Sequence, residues 1–239
     1  MEIIKFIEVN KKKIATVIND AGSKNIVIFC HGFRGSKIGP NRFFVKVARE
    51  LEKQNISSLR FDQYGSGDSE GDFIDSRFDD WVKTTEEIAN NYLSRRYKVS
   101  LLGQSMGGSA VLVAASHLGN KLKSVVAWVP DPSVDVLKID GEYMEEGGQR
   151  VSWDFWKQAH QANIVDCFKK ITAPTYIFFC ENDEYVSTEN QQALISVAQS
   201  HQKIEILKGY THSSWAYDQA SKVIQNTIQF LVSNFRLGN

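Results

Sequence analysis

Short apolar segments alternate with helix-like segments along most of this chain, and the alternation limits the folds that it can adopt. The apolar segments have the length of strands, and they are NIVIFC (25–30), ISSLRF (56–61), KVSLLG (98–103), KSVVAWV (123–129), PTYIFFC (174–180) and KIEILK (203–208). Most of them lack the inside–outside alternation of a strand with one wet face. Such strands, separated by helices, indicate a parallel sheet that helices cover on both faces.

Helical patterns fill the intervals between these strands. We predict helices over the ranges 42–53, 75–94, 106–118, 188–200 and 214–235. Two further strand-like segments, 2–9 and 13–19, open the chain, and we expect them to form a hairpin at one edge of the sheet. The pattern therefore predicts an α/β fold with a mostly parallel eight-stranded sheet, in which residues 1–239 form one domain.

The charge balance and the cysteines argue against several classes of protein. The 28 acidic and 28 basic residues cancel, and no basic block is present for nucleic acid or for an anionic membrane surface. The opening residues lack the apolar core of a signal peptide, and no apolar run approaches transmembrane length. Cys30, Cys167 and Cys180 lack metal-ligand spacing. We therefore expect reduced thiols, a cytoplasmic location, and no nucleic-acid or membrane partner.

One long interval breaks the alternation of strands and helices. Between Pro130 and Asp166 the pattern predicts no strand, but it contains a glycine pair and an aromatic helix, SWDFWKQAH. A loop of this length inside a compact domain is usually functional. Ligands of parallel sheets bind at the carboxyl ends of the strands. We therefore expect residues 131–165 to form a small cap over a site at that edge.

The segment LLGQSMGGSA (101–110) places one serine between glycines, where a predicted strand ends and a helix begins. Residues 103–107 match the pattern G-x-S-x-G, in which the serine lies in a strained turn with its hydroxyl above the sheet edge. A role for Ser105 as a simple helix cap is the structural alternative. A serine nucleophile needs a base and an orienting acid, which follow it in the chain order acid, then histidine.

Of the five histidines, His212 alone lies downstream of Ser105 in a loop that follows a predicted strand. His31 precedes the serine, and we expect it to shape its own loop. The others fall in helices or in the cap: His117, His160 and His201. His212 is therefore the candidate base.

The acid and the oxyanion donors are less sharply defined by the residues alone. Three acids follow the strand 174–180, and spacing does not choose among them: Glu181, Asp183 and Glu184. An oxyanion hole needs two backbone N–H groups. We expect one from Met106, directly after the serine, and one from Phe33, because Gly32 allows the preceding loop to turn towards the site.

Together these motifs resemble the α/β-hydrolases of the serine-aminopeptidase-like and feruloyl- or cinnamoyl-esterase-like group, over nearly the whole chain. The resemblance is carried by CHGFRG (30–35), RFDQYGSGDSEGDF (60–73), GQSMGG (103–108), CENDEYVS (180–187) and GYTH (209–212). It implies that Asp183 is the acid of a catalytic triad with Ser105 and His212. Two positions depart from the usual acid loop, where Cys180 and Ser187 replace a glycine and a proline.

The resemblance implies the α/β-hydrolase fold and the hydrolysis of a small-molecule ester through an acyl-enzyme intermediate, without a metal or another cofactor. The alternatives within the fold are an aminopeptidase, a thioesterase and a C–C bond hydrolase. A non-catalytic binding protein of the same fold is a further alternative, and the presence of all three triad residues argues against it. We expect a monomer or a homodimer.

The composition of the cap suggests a preference among substrates. Trp153 and Trp156 share a face of the predicted helix that Ser152 can cap. The cap contains seven acids and three bases, a net charge of minus four. We expect an apolar acyl or aryl pocket under an acidic roof, with Trp153, Trp156 and Tyr64 as substrate-binding residues. Alternatively, the aromatic residues only dock the cap and the acids are solvated.

Overall fold

The computed structural model describes residues 2–135 and 137–237, so positions 1, 136, 238 and 239 of the predicted domain lie outside the description. The first half of the chain contains β1 (Glu2–Val9), β2 (Lys12–Asn19), β3 (Asn25–Cys30), α1 (Phe43–Lys53), β4 (Ser57–Phe61), α2 (Phe78–Ser94), β5 (Lys98–Gln104) and α3 (Met106–Leu118). The second half contains β6 (Leu122–Trp128), β7 (Tyr143–Glu146), β8 (Gln149–Ser152), α4 (Trp153–Gln161), α5 (Ile164–Lys170), β9 (Thr175–Cys180), α6 (Thr188–Ile195), β10 (Gln202–Leu207) and α7 (Tyr217–Arg236). Short 3₁₀ turns lie at Pro40–Arg42, Phe73–Asp75 and Gly119–Lys121.

Eight of the strands form one sheet in the order β1-β2-β4-β3-β5-β6-β9-β10. The strands from β4 to β10 in this order are parallel, whereas β2 pairs antiparallel with both β1 and β4. The two opening strands are joined by a turn at Asn10 and Lys11, which both have a positive φ. The predicted eight-stranded, mostly parallel sheet and its edge hairpin are confirmed.

Both faces of the sheet are buried, which explains why the strands are apolar throughout. On β3, Ile26 and Ile28 point into one core, against α2 and α3, and the intervening Val27 and Phe29 point into a second core, against α1 and α7. A strand with both faces covered gains stability from every side chain along it. Period-two alternation is therefore absent where the packing is most complete.

The cap contains a hairpin that the sequence did not predict, so the expectation of no strand between Pro130 and Asp166 was wrong. Strands β7 and β8 pair antiparallel from Tyr143↔Ser152 to Glu146↔Gln149. Gly147 and Gly148 form the connecting turn with φ of 58° and 75°. A two-residue turn of this kind needs a positive φ at both central residues, and two glycines meet that need. The strands are four residues long, too short for a clear periodic pattern.

The predicted aromatic helix of the cap is confirmed as α4. Ser152 caps it by accepting a hydrogen bond from the N–H of Asp154 at 3.2 Å. A second helix, α5, follows it after Asn163 and returns the chain to the sheet. Within the described parts of the chain, none of the helices combines the length and the hydropathy needed to cross a membrane.

Candidate active site

The turn between β5 and α3 holds Ser105 in a conformation that residues other than glycine rarely adopt, with φ 54° and ψ −128°. The turn is tight because backbone segments occupy the space where side chains would lie. A Cβ atom on Gly103 would lie 2.2 Å from Gly107 O, and one on Gly107 would lie 2.1 Å from His31 O. Both outer positions of the G-x-S-x-G pattern therefore require glycine, and the serine between them carries backbone strain.

The hydroxyl of Ser105 contacts the imidazole of His212. The distance from Oγ to Nε2 is 2.9 Å, and the other ring nitrogen, Nδ1, lies 2.9 Å from each carboxylate oxygen of Asp183. The carboxylate is fully buried and the imidazole nearly so. With the Nδ1 proton donated to Asp183, Nε2 is left to accept the proton of Ser105.

The structure distinguishes the three acids that follow β9. Asp183 contacts the ring of His212 and also accepts hydrogen bonds from two backbone N–H groups of its own loop, at 2.8 and 2.9 Å. Glu184 instead accepts from the backbone N–H of His212 at 3.1 Å, and Glu181 accepts from the backbone N–H of Gly209 at 2.8 Å. The two glutamates thus hold the loop that carries the histidine, and Asp183 alone of the three meets the imidazole.

The two segments predicted to form an oxyanion hole border Ser105. The N–H of Gly35 donates to Gly32 O at 2.9 Å, which closes a turn with Phe33 at its second position. This bond leaves the N–H of Phe33 unused by the turn. A Cβ atom on Gly32 would lie 3.0 Å from the Cβ of Ser105, so the turn packs directly on the elbow. Met106 is the first residue of α3, where an N–H has no partner within the helix.

His31 holds one end of the loop that contains Phe33. Its buried ring lies 2.8 Å from Gly32 O through Nδ1, and Nε2 lies 2.9 Å from the N–H of Gln63. Burial lowers the pKa of His31, which favours the neutral ring with one donor and one acceptor that these contacts need. His31 therefore shapes its loop.

Lys37, which sequence reasoning missed, holds the other end of the same loop. Its Nζ donates to Asp62 Oδ2 at 2.5 Å and to Asp68 Oδ2 at 2.6 Å, and its backbone N–H donates to Asp62 Oδ1 at 2.6 Å. The carboxylate of Asp62 is fully buried. Because Asp62 and Gln63 are consecutive, one short segment after β4 holds both ends of loop 31–37.

A cavity of about 740 Å³ opens beside Ser105 and His212. Phe33 and Trp156 form part of its wall, and their ring centroids lie 4.8 Å apart. The neighbouring Phe155 is fully buried and packs against the rings of Phe33 and Trp81. Helix α4 therefore docks on the body of the fold through Phe155 and presents Trp156 to the cavity.

Tyr64 and Trp153, which the sequence predicted as substrate-binding residues, do not line this cavity. Lys12 Nζ lies 4.2 Å above the ring of Tyr64. Trp153 is the first residue of α4, and its Nε1 donates to Asp140 O at 3.0 Å within the cap. Both rings are thus used in local packing, whereas the third predicted residue, Trp156, lies in the cavity wall.

The acidic surplus of the cap lies mostly outside the cavity. Of its seven acids, only Asp131 and Glu146 line the wall. Glu146 Oε1 accepts a hydrogen bond from Arg34 NH2 at 2.5 Å, while Glu145 and Asp154 pair with basic residues of the cap. Of the acidic roof that the sequence predicts, Asp131 is therefore the one acid in the described cavity wall without a basic partner.

Sequence reasoning assigned no site role to two further polar residues of the cavity wall, Arg34 and Tyr185, and it counted Asp131 only as one of the cap acids. The ring of Tyr185 meets that of His212 edge to face, with centroids 5.2 Å apart. Each of the three follows the carboxyl end of a parallel strand, and this position was the signal that could have identified them. In the described part of the chain, no group of three or more His, Cys, Asp or Glu side chains is arranged to hold a metal ion.

The chain is similar to known proteins in part of its sequence and in its fold. Residues 21–138 match the family model of serine aminopeptidases, S33. The structure of Est1E from Butyrivibrio proteoclasticus with bound ferulic acid is 22% identical, covers 97% of this chain and 99% of that chain, and superposes with a TM-score of 0.84. A putative hydrolase from Agrobacterium vitis S4 is 16% identical, with coverages of 97% and 99% and a TM-score of 0.82.

An esterase domain from a Rhodothermus marinus protein is 20% identical, with 98% of both chains covered and a TM-score of 0.72. A search of the curated proteins gives no match. At these levels of identity the structural likeness establishes the fold, and the predicted α/β-hydrolase fold is confirmed.

Proposed function

We propose that this chain, which has the α/β-hydrolase fold, is a serine hydrolase that cleaves carboxylic esters with small neutral acyl or aryl groups. One observation carries the proposal: Ser105 Oγ lies 2.9 Å from Nε2 of His212, whose Nδ1 contacts Asp183. A hydroxyl, an imidazole and a buried carboxylate in this order are a nucleophile, a base and an orienting acid.

The acylation step begins when Ser105 Oγ attacks the carbonyl carbon of the ester and Nε2 of His212 takes the hydroxyl proton. The negative charge that develops on the carbonyl oxygen is stabilised by the N–H groups of Phe33 and Met106. Asp183 stabilises the imidazolium that forms. The tetrahedral intermediate then breaks its bond to the alcohol oxygen, which takes the proton from His212, and the acyl group stays on Ser105.

The deacylation step repeats this chemistry with water. His212 takes a proton from the water as its oxygen attacks the acyl carbon, and the same N–H groups stabilise the second oxyanion. Collapse of that intermediate releases the carboxylic acid and returns the proton to Ser105. Four residues of the scheme line the cavity, namely Ser105, His212, Phe33 and Met106, and Asp183 acts from behind the imidazole.

Three features support a small acyl or aryl substrate. The cavity volume of about 740 Å³ lies in the range of pockets that hold small organic ligands. The rings of Phe33 and Trp156 supply an apolar wall beside the nucleophile. The similar protein from Butyrivibrio proteoclasticus is described with ferulic acid, an aryl acid, bound to it.

A fluorophosphonate probe tests the nucleophile. We expect the wild-type protein to gain one covalent adduct, located at Ser105 by peptide mass spectrometry, and Ser105→Ala to gain none. Ser213 also lines the cavity, so Ser213→Ala is a matched control that should keep the adduct. An adduct on Ser105→Ala, or none on the wild type, contradicts the proposal.

A substrate panel tests the type of bond. We expect p-nitrophenyl butyrate to be hydrolysed, and Ser105→Ala to lower kcat by roughly three to six orders of magnitude. The matched butyryl thioester and butyryl anilide distinguish the alternatives, since a thioesterase or an aminopeptidase would prefer the thioester or an amide. Faster turnover of either one than of the oxygen ester would replace the ester assignment while leaving Ser105 as the nucleophile.

A further inference from the structure

Two carboxylates lie in the cavity wall, and within residues 2–135 and 137–237 no Lys or Arg side chain forms an ion pair with one of them, that of Asp131. It follows strand β6 and lines the same cavity as Ser105 and His212. The other acid of the wall, Glu146, pairs with Arg34 at 2.5 Å. The cavity therefore contains one uncompensated negative charge.

The position of Asp131 is determined by its contacts with the first turn of helix α3. Its backbone N–H donates to Ser109 Oγ at 3.0 Å, and Ser109 Oγ donates to Asp131 O at 2.6 Å. Ser109 is one helical turn from Ser105, whose carbonyl oxygen accepts the N–H of Ser109 at 3.1 Å. The backbone of Asp131 is thus held close to the nucleophile by one side chain.

The carboxylate of Asp131 accepts a hydrogen bond from the N–H of Ser133 at 2.8 Å through Oδ1. This bond uses only one of its two oxygens. Burial is the main cause that raises the pKa of Asp131 to about 6, and the hydrogen bond from Ser133 acts against it. The negative charges of Asp135 and Asp183 also raise this pKa, and His212 lowers it. At pH 8 the group is therefore ionised, in surroundings where water screens its charge weakly.

We propose that Asp131 determines the charge preference of this site, so that it disfavours esters with a carboxylate near the scissile bond and favours esters with a cationic group there. A negative charge on the substrate is repelled by Asp131 across a poorly screened cavity, a positive charge is attracted, and neutral esters lie between the two. The inference rests on the proposed ester hydrolysis and names the substrate charge that the same cavity selects.

Two series of matched esters test the charge preference at pH 8 and low ionic strength. One series varies the acyl group among p-nitrophenyl hexanoate, the p-nitrophenyl monoester of adipate, and the p-nitrophenyl ester of ω-trimethylammonio-pentanoate. The other varies the alcohol among butyrylcholine, its uncharged tert-butylethyl analogue, and the butyryl ester of hydroxypropionate. The measured quantity is the ratio of kcat/KM for the cationic ester to kcat/KM for the anionic ester.

We expect this ratio to exceed one for the wild type in at least one series, and Asp131→Asn to lower it by about tenfold or more. Asp131→Ser removes the same charge with a smaller side chain and should lower the ratio equally. Asp135→Asn is the matched control, since Asp135 belongs to the same segment, does not line the cavity and accepts a hydrogen bond from Asn190 at 2.8 Å. It should leave the ratio within about twofold.

Fluorophosphonate labelling of Ser105 in each variant shows whether the site has kept its geometry. A ratio that both Asp131 variants leave within twofold of the wild type, in both series, overturns the charge inference. A wild-type protein that neither hydrolyses esters nor accepts the probe overturns the proposed function instead, and the two failures are thereby distinguished.

Discussion

The ring of Phe33 packs against that of Trp156 with centroids 4.8 Å apart, and this contact joins the loop beside Ser105 to helix α4 of the cap. Trp156 Nε1 also donates to the sulfur of Met144 in strand β7, at 3.1 Å. The body of the fold, the cap helix and the cap hairpin therefore meet at one indole ring. Substitutions on the cap side can therefore alter the backbone that borders Ser105.

Replacement of Trp156 should weaken the use of aryl substrates. We expect Trp156→Ala to lower kcat/KM for a cinnamate-type ester by about ten- to a hundredfold, because a large apolar contact worth about 1.5–3 kcal/mol is lost. The loss for the butyrate ester should be smaller. Trp153→Ala is the matched control and should change either value by less than about twofold, since this ring lies outside the cavity wall. Equal losses in the two variants would contradict the assignment of Trp156 to the acyl site.

Substitutions of Asp183 and Glu184, two acids of the loop that follows β9, should differ in their effect on activity. We expect Asp183→Asn to lower kcat by up to about 10⁴-fold, because an amide no longer holds the required tautomer of His212. Glu184→Gln should cost less than about tenfold, since an amide oxygen can still accept the backbone N–H that Glu184 now binds. Steady-state hydrolysis of p-nitrophenyl butyrate measures both values. A larger loss for Glu184→Gln would identify the glutamate as the orienting acid.

The buried ion pair between Lys37 and Asp62, which holds loop 31–37, should contribute to stability. Lys37→Met leaves the buried carboxylate of Asp62 without its cation, and we expect the free energy of unfolding to fall by about 3–5 kcal/mol. Asp68 is 73% exposed, so Asp68→Asn should cost less than about 1 kcal/mol. Urea denaturation followed by tryptophan fluorescence measures both. Similar losses in the two variants would show that the buried pair has no special role.

The cysteines should be unreactive thiols in the folded protein. Burial raises the pKa of Cys30 to about 11 and that of Cys180 to about 12, so at pH 8 both are protonated and neither provides the reactive thiolate. Strands β3 and β9 are separated by β5 and β6, which places the two cysteines roughly 14 Å apart, beyond the reach of a disulfide.

A thiol-specific disulfide reagent at pH 8 tests this expectation. Cys30 and Cys180 should stay unmodified in the native protein, and all three cysteines should react in urea. Intact mass should be the same before and after reduction. Rapid modification of Cys30 or Cys180 in the native state would contradict the burial of these thiols. A gain of two hydrogens on reduction would show that a disulfide had formed.

The secondary structure was predicted most accurately where short-range patterns are strong. Helix α3 begins and ends where the sequence predicts, at Met106 and Leu118, because a glycine-rich turn precedes it and a glycine follows it. The helix predicted over 188–200 ends earlier, at Ile195. There the N–H of Val197 bonds to Leu194 O, three residues back, and the chain tightens out of the helix. A bond of this kind depends on the packing of the following segment, which periodicity does not report.

The sequence by itself determined the strands, the elbow serine and its histidine, because apolar runs, glycines and chain order are local or sequential properties. The residues alone left three neighbouring acids open and the resemblance implied Asp183; the contact of Asp183 with His212 belongs to the tertiary structure. Only the tertiary structure decided which tryptophan of the cap lines the cavity and that Lys37 holds loop 31–37. Ser105 and His212 are 107 positions apart, and their contact depends on the order of the strands in the sheet and on loop conformations. Distances between such loops arise from long-range packing, and no spacing of residues along the chain encodes them.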